Sequence, residues 1–261
     1  MLTRIITSIA ALAVFAAALM LKPIVFTVAL SAVIFVMLYE CYHAAKYDTA
    51  VKISGYVCAA ILIIGFFTEN YTAAVTGVIA LFMIAVVALH GKTDFKTVFS
   101  AEVITLYAVT FMSFITKSRA DFGTPEMLLI FICAWSSDTG AYFAGTFFGK
   151  HKLIPHVSPK KTVEGAIGGV ALSALVSMAY MYILQKSGID FLVTKYSYMA
   201  VVGAAASVLS QFGDLAASAI KRDCGVKDYG KIFPGHGGFM DRFDSVMYIA
   251  PFVYYVLNLI V

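Results

Sequence analysis

The chain has 261 residues, is 61% hydrophobic and only 13% charged, and has a mean hydropathy of +0.88, which excludes an ordinary water-soluble domain. The net charge of +4 says little by itself, and no nucleic-acid partner is expected. Cys41, Cys58, Cys133 and Cys224 form no CxxC pair and three lie in apolar runs, so they read as reduced thiols rather than a disulfide frame or a zinc site.

Apolar runs near the ~20 residues that a helix needs to cross a bilayer recur along the sequence. They predict an all-α, polytopic membrane helix bundle of about nine spans, at 5–21, 24–42, 53–68, 71–89, 99–116, 126–148, 163–185, 197–220 and 241–260. Arg4 followed by an apolar run to Leu21 has the look of a signal peptide, but the many spans that follow make it a retained first helix. Lys22-Pro23 breaks the first pair, and Glu69-Asn70 turns the chain between the third and fourth. About five spans fall in an N-terminal transmembrane region, 1–120. The remainder, 121–261, is the expected catalytic region, with cytoplasmic loops at 149–162 and 221–240. No internal repeat or low-complexity linker is evident.

An odd number of spans puts the termini on opposite sides. The N-terminal side carries Arg4, Lys46, Lys52, Lys92, Lys96, Lys150, Lys152, Lys160, Lys161, Lys221, Arg222, Lys227, Lys231 and Arg242. The other side carries Lys22, Lys117, Arg119, Lys186 and Lys195. The excess of basic residues predicts a cytoplasmic N-terminus. Setting topology suffices for Lys46, Lys52, Lys92 and Lys96.

Topology does not explain Asp138 in "AWSSDTGAYFAG" or Asp214 in "LSQFGDLAAS", because a carboxylate within the bilayer is costly unless paired, hydrated or bound to a cation. Asp214, Ser218 and Lys221/Arg222 share one helical face at i, i+4 and i+7/i+8. Asp241 and Asp244 stand at i, i+3 in the first turn of the last span, where acidic residues also suit the helix dipole. Carboxylates at a polar membrane surface suggest Mg²⁺, with the neighbouring Lys and Arg left to hold phosphates. "PGHGG" (Pro234 to Gly238) allows close backbone approach to an anion through Gly235, Gly237 and Gly238, although such dipeptides also mark ordinary turns. Ser158, Lys160, Lys161 and Thr162 precede a helix start with Glu164 in its first turn. They read equally as an anion site or as a cap with topogenic lysines. Gly165, Gly168 and Gly169 read as helix packing, and His151 and His156 as surface residues.

From Ser218 the chain reads S-x-x-K-R-x-x-x-x-K-D, five residues, then P-G-H-G-G-x-x-D-R-x-D to Asp244. This resembles the signature of the phosphatidate cytidylyltransferase (CDP-diacylglycerol synthase) family, bacterial type. "SSDTGAYFAGTFFGKHKL", "SPKKTVEG" and "QFGDLAAS" are similar to the same family, so the resemblance is dense from Ser136 to Ser245. It implies transfer of CMP from CTP to phosphatidate at a cytoplasmic-facing site of a multi-pass protein in the bacterial inner (cell) membrane. It also implies Mg²⁺, with room for a second cation such as K⁺, and a homodimer. Carried over, Asp214, Asp241 and Asp244 become metal ligands, joined by Asp138. Asp214, Asp241, Asp244, Lys221 and Arg222 are the expected catalytic set. Ser158, Lys160, Lys161, Ser218, Lys227, His236 and Arg242 are expected to hold the triphosphate and the lipid phosphate. A CTP-dependent lipid kinase is the alternative closest in chemistry. An ion-coupled transporter using Asp138 and Asp214 is disfavoured by the one-sided polarity and the lack of repeats.

Overall fold

The computed structural model describes residues 2–235 and 237–260, with side chains from Ile9 onward. Its helices are α1 (Leu2–Leu19), α2 (Pro23–Ala44), α3 (Thr49–Phe67), α4 (Tyr71–Ala88), α5 (Phe95–Asp121), α6 (Thr124–Phe148), α7 (Val163–Lys186), α8 (Tyr196–Asp223) and α9 (Met240–Asn258). A hairpin of β1 (Lys152–Ile154) and β2 (Ser158–Thr162) stands between α6 and α7. In hydrocarbon a helix pairs its backbone groups within one segment, which is why so apolar a chain takes this form.

Among the described residues seven helices, α2 to α8, are long and apolar enough to cross a membrane, and the chain is a multi-pass membrane protein. Many of their exposed side chains are themselves apolar, as with Ile53, Val57 and Ile64 on α3 or Leu175 and Ile183 on α7, which suits contact with lipid. The predicted span at 241–260 is the helix α9. It opens with Asp241, Arg242 and Asp244 and holds Pro251 in its interior, and it is too polar at its start to stand with the seven. The breaks fall where the punctuation predicts. Pro23 takes the first helical position of α2, and Glu69 adopts a left-handed φ of 59° between α3 and α4.

Two stretches expected as loops are partly ordered into elements. Residues 149–162 hold the antiparallel hairpin, with Lys152 opposite Thr162 and Ile154 opposite Ser158 across a bulge. Lys221, Arg222 and Asp223 complete α8, so the loop proper begins at Cys224.

The chain divides into two compact units. The first comprises 1–113 with 226–241 and the second 114–225 with 242–261. Within the first, α3 packs on α2 and α4, and the core gathers Met37, Leu38, Val51, Leu62 and Val78. Hydroxyl pairs tie α5 to this group: Tyr42 meets Thr105, and Tyr71 lies 2.7 Å from Thr110. Within the second, α6, α7 and α8 pack on one another through small residues. A Cβ on Gly140 of α6 would come 2.6 Å from the Gly168 carbonyl oxygen of α7. Ser137 and Ser207 pair at 2.7 Å, and the Ser173 hydroxyl donates to the Gly203 carbonyl at 2.8 Å. Such close contact is the membrane substitute for a hydrophobic driving force between helices.

Candidate active site

The second unit gathers most of the polar residues singled out in the sequence. Asp214 and Ser218 lie one turn apart on α8, and the Ser218 hydroxyl donates to Asp214 Oδ1 at 3.2 Å. Lys161, from the end of β2, reaches Asp214 Oδ2 at 2.6 Å, and both side chains are less than one-third exposed. The hairpin makes that reach possible, because it is pinned at both ends to the start of α7. The Thr162 hydroxyl oxygen caps the helix by accepting from the Gly165 amide at 3.1 Å, and Val163 N–H donates to the His151 carbonyl at 2.9 Å. Glu164 completes the pin. Its carboxylate accepts from the Lys150 amide at 3.1 Å and lies 2.6 Å from His151 Nδ1. Of the two readings of this block, the cap is present and so is a lysine in the acidic cluster.

Asp244 enters from α9 and is buried, with Oδ1 accepting from the Ser245 amide at 2.7 Å. The approach of α9 to α8 depends on Gly213, where a Cβ would stand 2.5 Å from the Asp244 carbonyl oxygen. This brings Asp214 and Asp244 into electrostatic contact. Asp138 of α6 feels both of them, together with Lys161 and Arg242, while Lys221 faces Asp244. Three carboxylates and three cations therefore interleave in one region of this unit.

The predicted polar face of α8 is only partly one surface. Ser218 and Lys221 are buried with the cluster, whereas Arg222, one residue further round, is exposed. Lys160 and Lys227 are also exposed and Ser158 is half-buried. Their exposure leaves these side chains accessible from solvent. His236 lies outside the described residues.

Asp241 belongs to the first unit and is held differently. Its Oδ2 accepts from the Tyr229 amide at 2.8 Å and the Gly238 amide at 2.9 Å. The Gly238 N–H, one of the amides expected to face an anion, is directed at that carboxylate. Gly235 and Gly237 take φ values of 79° and 82°, which only glycine adopts freely, and the Phe233 amide closes the turn onto the Gly237 carbonyl at 2.9 Å. A side chain absent from the sequence reading completes this region: Glu40 of α2 is buried, and its Oε2 accepts from the Met240 amide at 3.0 Å. A lone acid near the end of an apolar span was the available signal.

The donor set fits a hard cation. Asp138, Asp214 and Asp244 offer only oxygen, and two or three carboxylates leave room for the waters and phosphate oxygens that Mg²⁺ prefers. Among the described residues no three acidic, histidine or cysteine side chains converge tightly enough to hold an ion as they stand. Both Asp214 oxygens and Asp244 Oδ1 are engaged with Lys161, Ser218 and the Ser245 amide.

Several known proteins are similar to the chain. It is 40% identical over 143 residues to the phosphatidate cytidylyltransferase of Bacillus subtilis, covering 55% of this chain and 51% of that protein. It is 35% identical over 166 residues to the enzyme of the same name from Thermotoga maritima, covering 64% and 61%. Against that of Staphylococcus aureus (strain COL) it is 44% identical over 138 residues, covering 53% and 50%. The matched stretch thus spans about half to three-fifths of the length of these relatives. The cytidylyltransferase family profile reaches further, from residue 2 to residue 260. It takes in the helices of both units, and the chain belongs to the cytidylyltransferase family.

Proposed function

We propose that the chain transfers the CMP moiety of CTP to phosphatidate, yielding CDP-diacylglycerol and diphosphate, at the cytoplasmic side of a bacterial inner membrane. The observation that carries this reading is the interleaving of Asp138, Asp214 and Asp244 with Lys161, Lys221 and Arg242 where apolar helices meet a polar hairpin. One substrate comes from water and the other from lipid, and both are polyanions.

The chemistry asked of these residues is modest. A phosphate oxygen of phosphatidate forms a bond to the α-phosphorus of CTP, and the bond from that phosphorus to the bridging oxygen of the β-phosphate breaks. The electron pair leaves with diphosphate. The attacking oxygen is already anionic at neutral pH, so no general base is required. The obstacle is repulsion between two polyanions, and positioned cations lower it. Lys161 and Lys221 are held by Asp214 and Asp244 and can turn to phosphate oxygens, while exposed Arg222, Lys160 and Lys227 draw the nucleotide from solvent. Mg²⁺ held by Asp214 and Asp244, with Asp138 adjoining, would neutralise triphosphate charge and favour departure of diphosphate.

Purified protein in detergent, given phosphatidate, Mg²⁺ and CTP labelled at either the α- or the γ-phosphate, tests this directly. Label from the α-position is expected in the lipid. Label from the γ-position alone would make the protein a lipid kinase, and unlabelled lipid in both arms would remove the reading. Asp244→Asn is expected to abolish transfer while the protein still inserts in the membrane.

A further inference from the structure

Glu40 stands apart from every motif in the sequence, yet the 226–241 segment is built around it. It is 2% exposed. Its Oε2 accepts from the Met240 amide at 3.0 Å, the Phe239 amide also acts on the carboxyl, and Oε1 has no hydrogen-bond partner. Two glycines make room for it. A Cβ on Gly230 would stand 2.6 Å from Glu40 Cδ and 3.0 Å from Cγ, and a Cβ on Gly238 would meet both carboxyl oxygens. Neither glycine has a positive φ, so at both positions the demand for glycine is steric and is set by this one carboxyl. Asp241 grips the same segment through the Tyr229 and Gly238 amides. Two acids from different helices thus hold the backbone at Tyr229 and at Gly238–Met240. A buried carboxyl with an unpaired oxygen is costly, so a seat this close is not stability for its own sake.

We propose that Glu40 is a positioning residue for the transfer reaction: it docks the backbone at Gly230 and at Gly238–Met240 on α2 and so fixes how the adjoining Lys227 is offered to the nucleotide triphosphate. The role rests on the cytidylyltransferase reading given above. The docking itself does not, and the two can be tested apart.

Glu40→Ala and Gly230→Ala attack the same contact from opposite sides. Each is expected to raise the KM for CTP about tenfold while kcat changes less, and to speed amide hydrogen exchange across 226–239 in protein without substrate. The double variant should be no worse than either single one, because each removes the other's partner. Glu40→Gln keeps an oxygen for the Met240 amide and should return KM to within about threefold of the unmodified protein. Multiplying effects in the double variant would overturn the proposal, as would unchanged exchange in Gly230→Ala. Should Glu40→Ala fail to fold, Gly230→Ala and Glu40→Gln decide the question. Unmodified protein that turns over no CTP would sink the reaction, while hydrogen exchange still reports on the docking.

Discussion

Lys161 separates two meanings that a lysine can have at a membrane surface. Many such lysines only fix topology, and their loss alters little beyond orientation. Lys161 instead touches Asp214 at 2.6 Å, and Asp138 feels its charge as well. Removing it leaves three mutually repelling carboxylates with one cation fewer and takes a donor from the phosphates. Lys161→Ala is therefore expected to lower the initial rate of CMP transfer roughly a hundredfold at saturating phosphatidate, the range for loss of one preorganised charge-stabilising group. Lys160→Ala alters an exposed neighbour that makes no such contact and should cost less than a tenth of that effect. Equal rates for the two variants would return Lys161 to the topogenic class.

At the scale of elements, the close packing of α6 and α7 is the property most open to perturbation. A Cβ on Gly140 would meet the Gly168 carbonyl oxygen at 2.6 Å and Leu172 Cβ at 2.8 Å, both on the rigid neighbouring helix. Gly140→Ala should destabilise the protein by about 1–3 kcal/mol through overpacking. Gly77 of α4 has nothing within 4 Å of the same position, so Gly77→Ala should be neutral or gain up to ~1 kcal/mol from helix propensity. Thermal midpoints in one detergent compare the two, and an equal shift in the same direction would contradict the packing account.

The sequence declared its helices well because hydrocarbon length and Pro23 or Glu69 punctuation are local signals. The β1–β2 hairpin was not legible, since Lys152–Ile154 and Ser158–Thr162 are short, lysine-rich and without alternation. Glu164 and the Thr162 cap tie it to the start of α7, contacts that no local pattern announces. Glu40 was hidden for a related reason: its partner Met240 lies 200 residues away. Asp241 and Asp244 look alike in sequence, three residues apart at the start of one helix. Only the fold shows one binding loop amides and the other facing Lys221 and Asp214.

For the whole molecule, the proposed orientation can be read from a single natural thiol. Cys41, Cys58 and Cys133 are buried in α2, α3 and α6, whereas Cys224 caps α8 and is only half-buried. It follows Lys221 and Arg222 on the side with the excess of basic residues, so the positive-inside rule assigns it to the cytoplasm. A membrane-impermeant maleimide should label Cys224 in inside-out vesicles and leave it untouched in right-side-out ones, with Cys224→Ser removing the signal. The pH dependence supplies an independent check. Burial, with the charge of Asp223 beside it, pushes the Cys224 thiol above its usual range. The thiolate is the reactive form, so a raised pKa means less of it at neutral pH than in a free cysteine. Labelling should be slower than that of a small exposed thiol at pH 7.5, and the gap between the two rates should narrow as the pH is raised and both thiols ionise. Fast labelling from the outer face would reverse the orientation and with it the supply of cytoplasmic nucleotide to the acidic cluster.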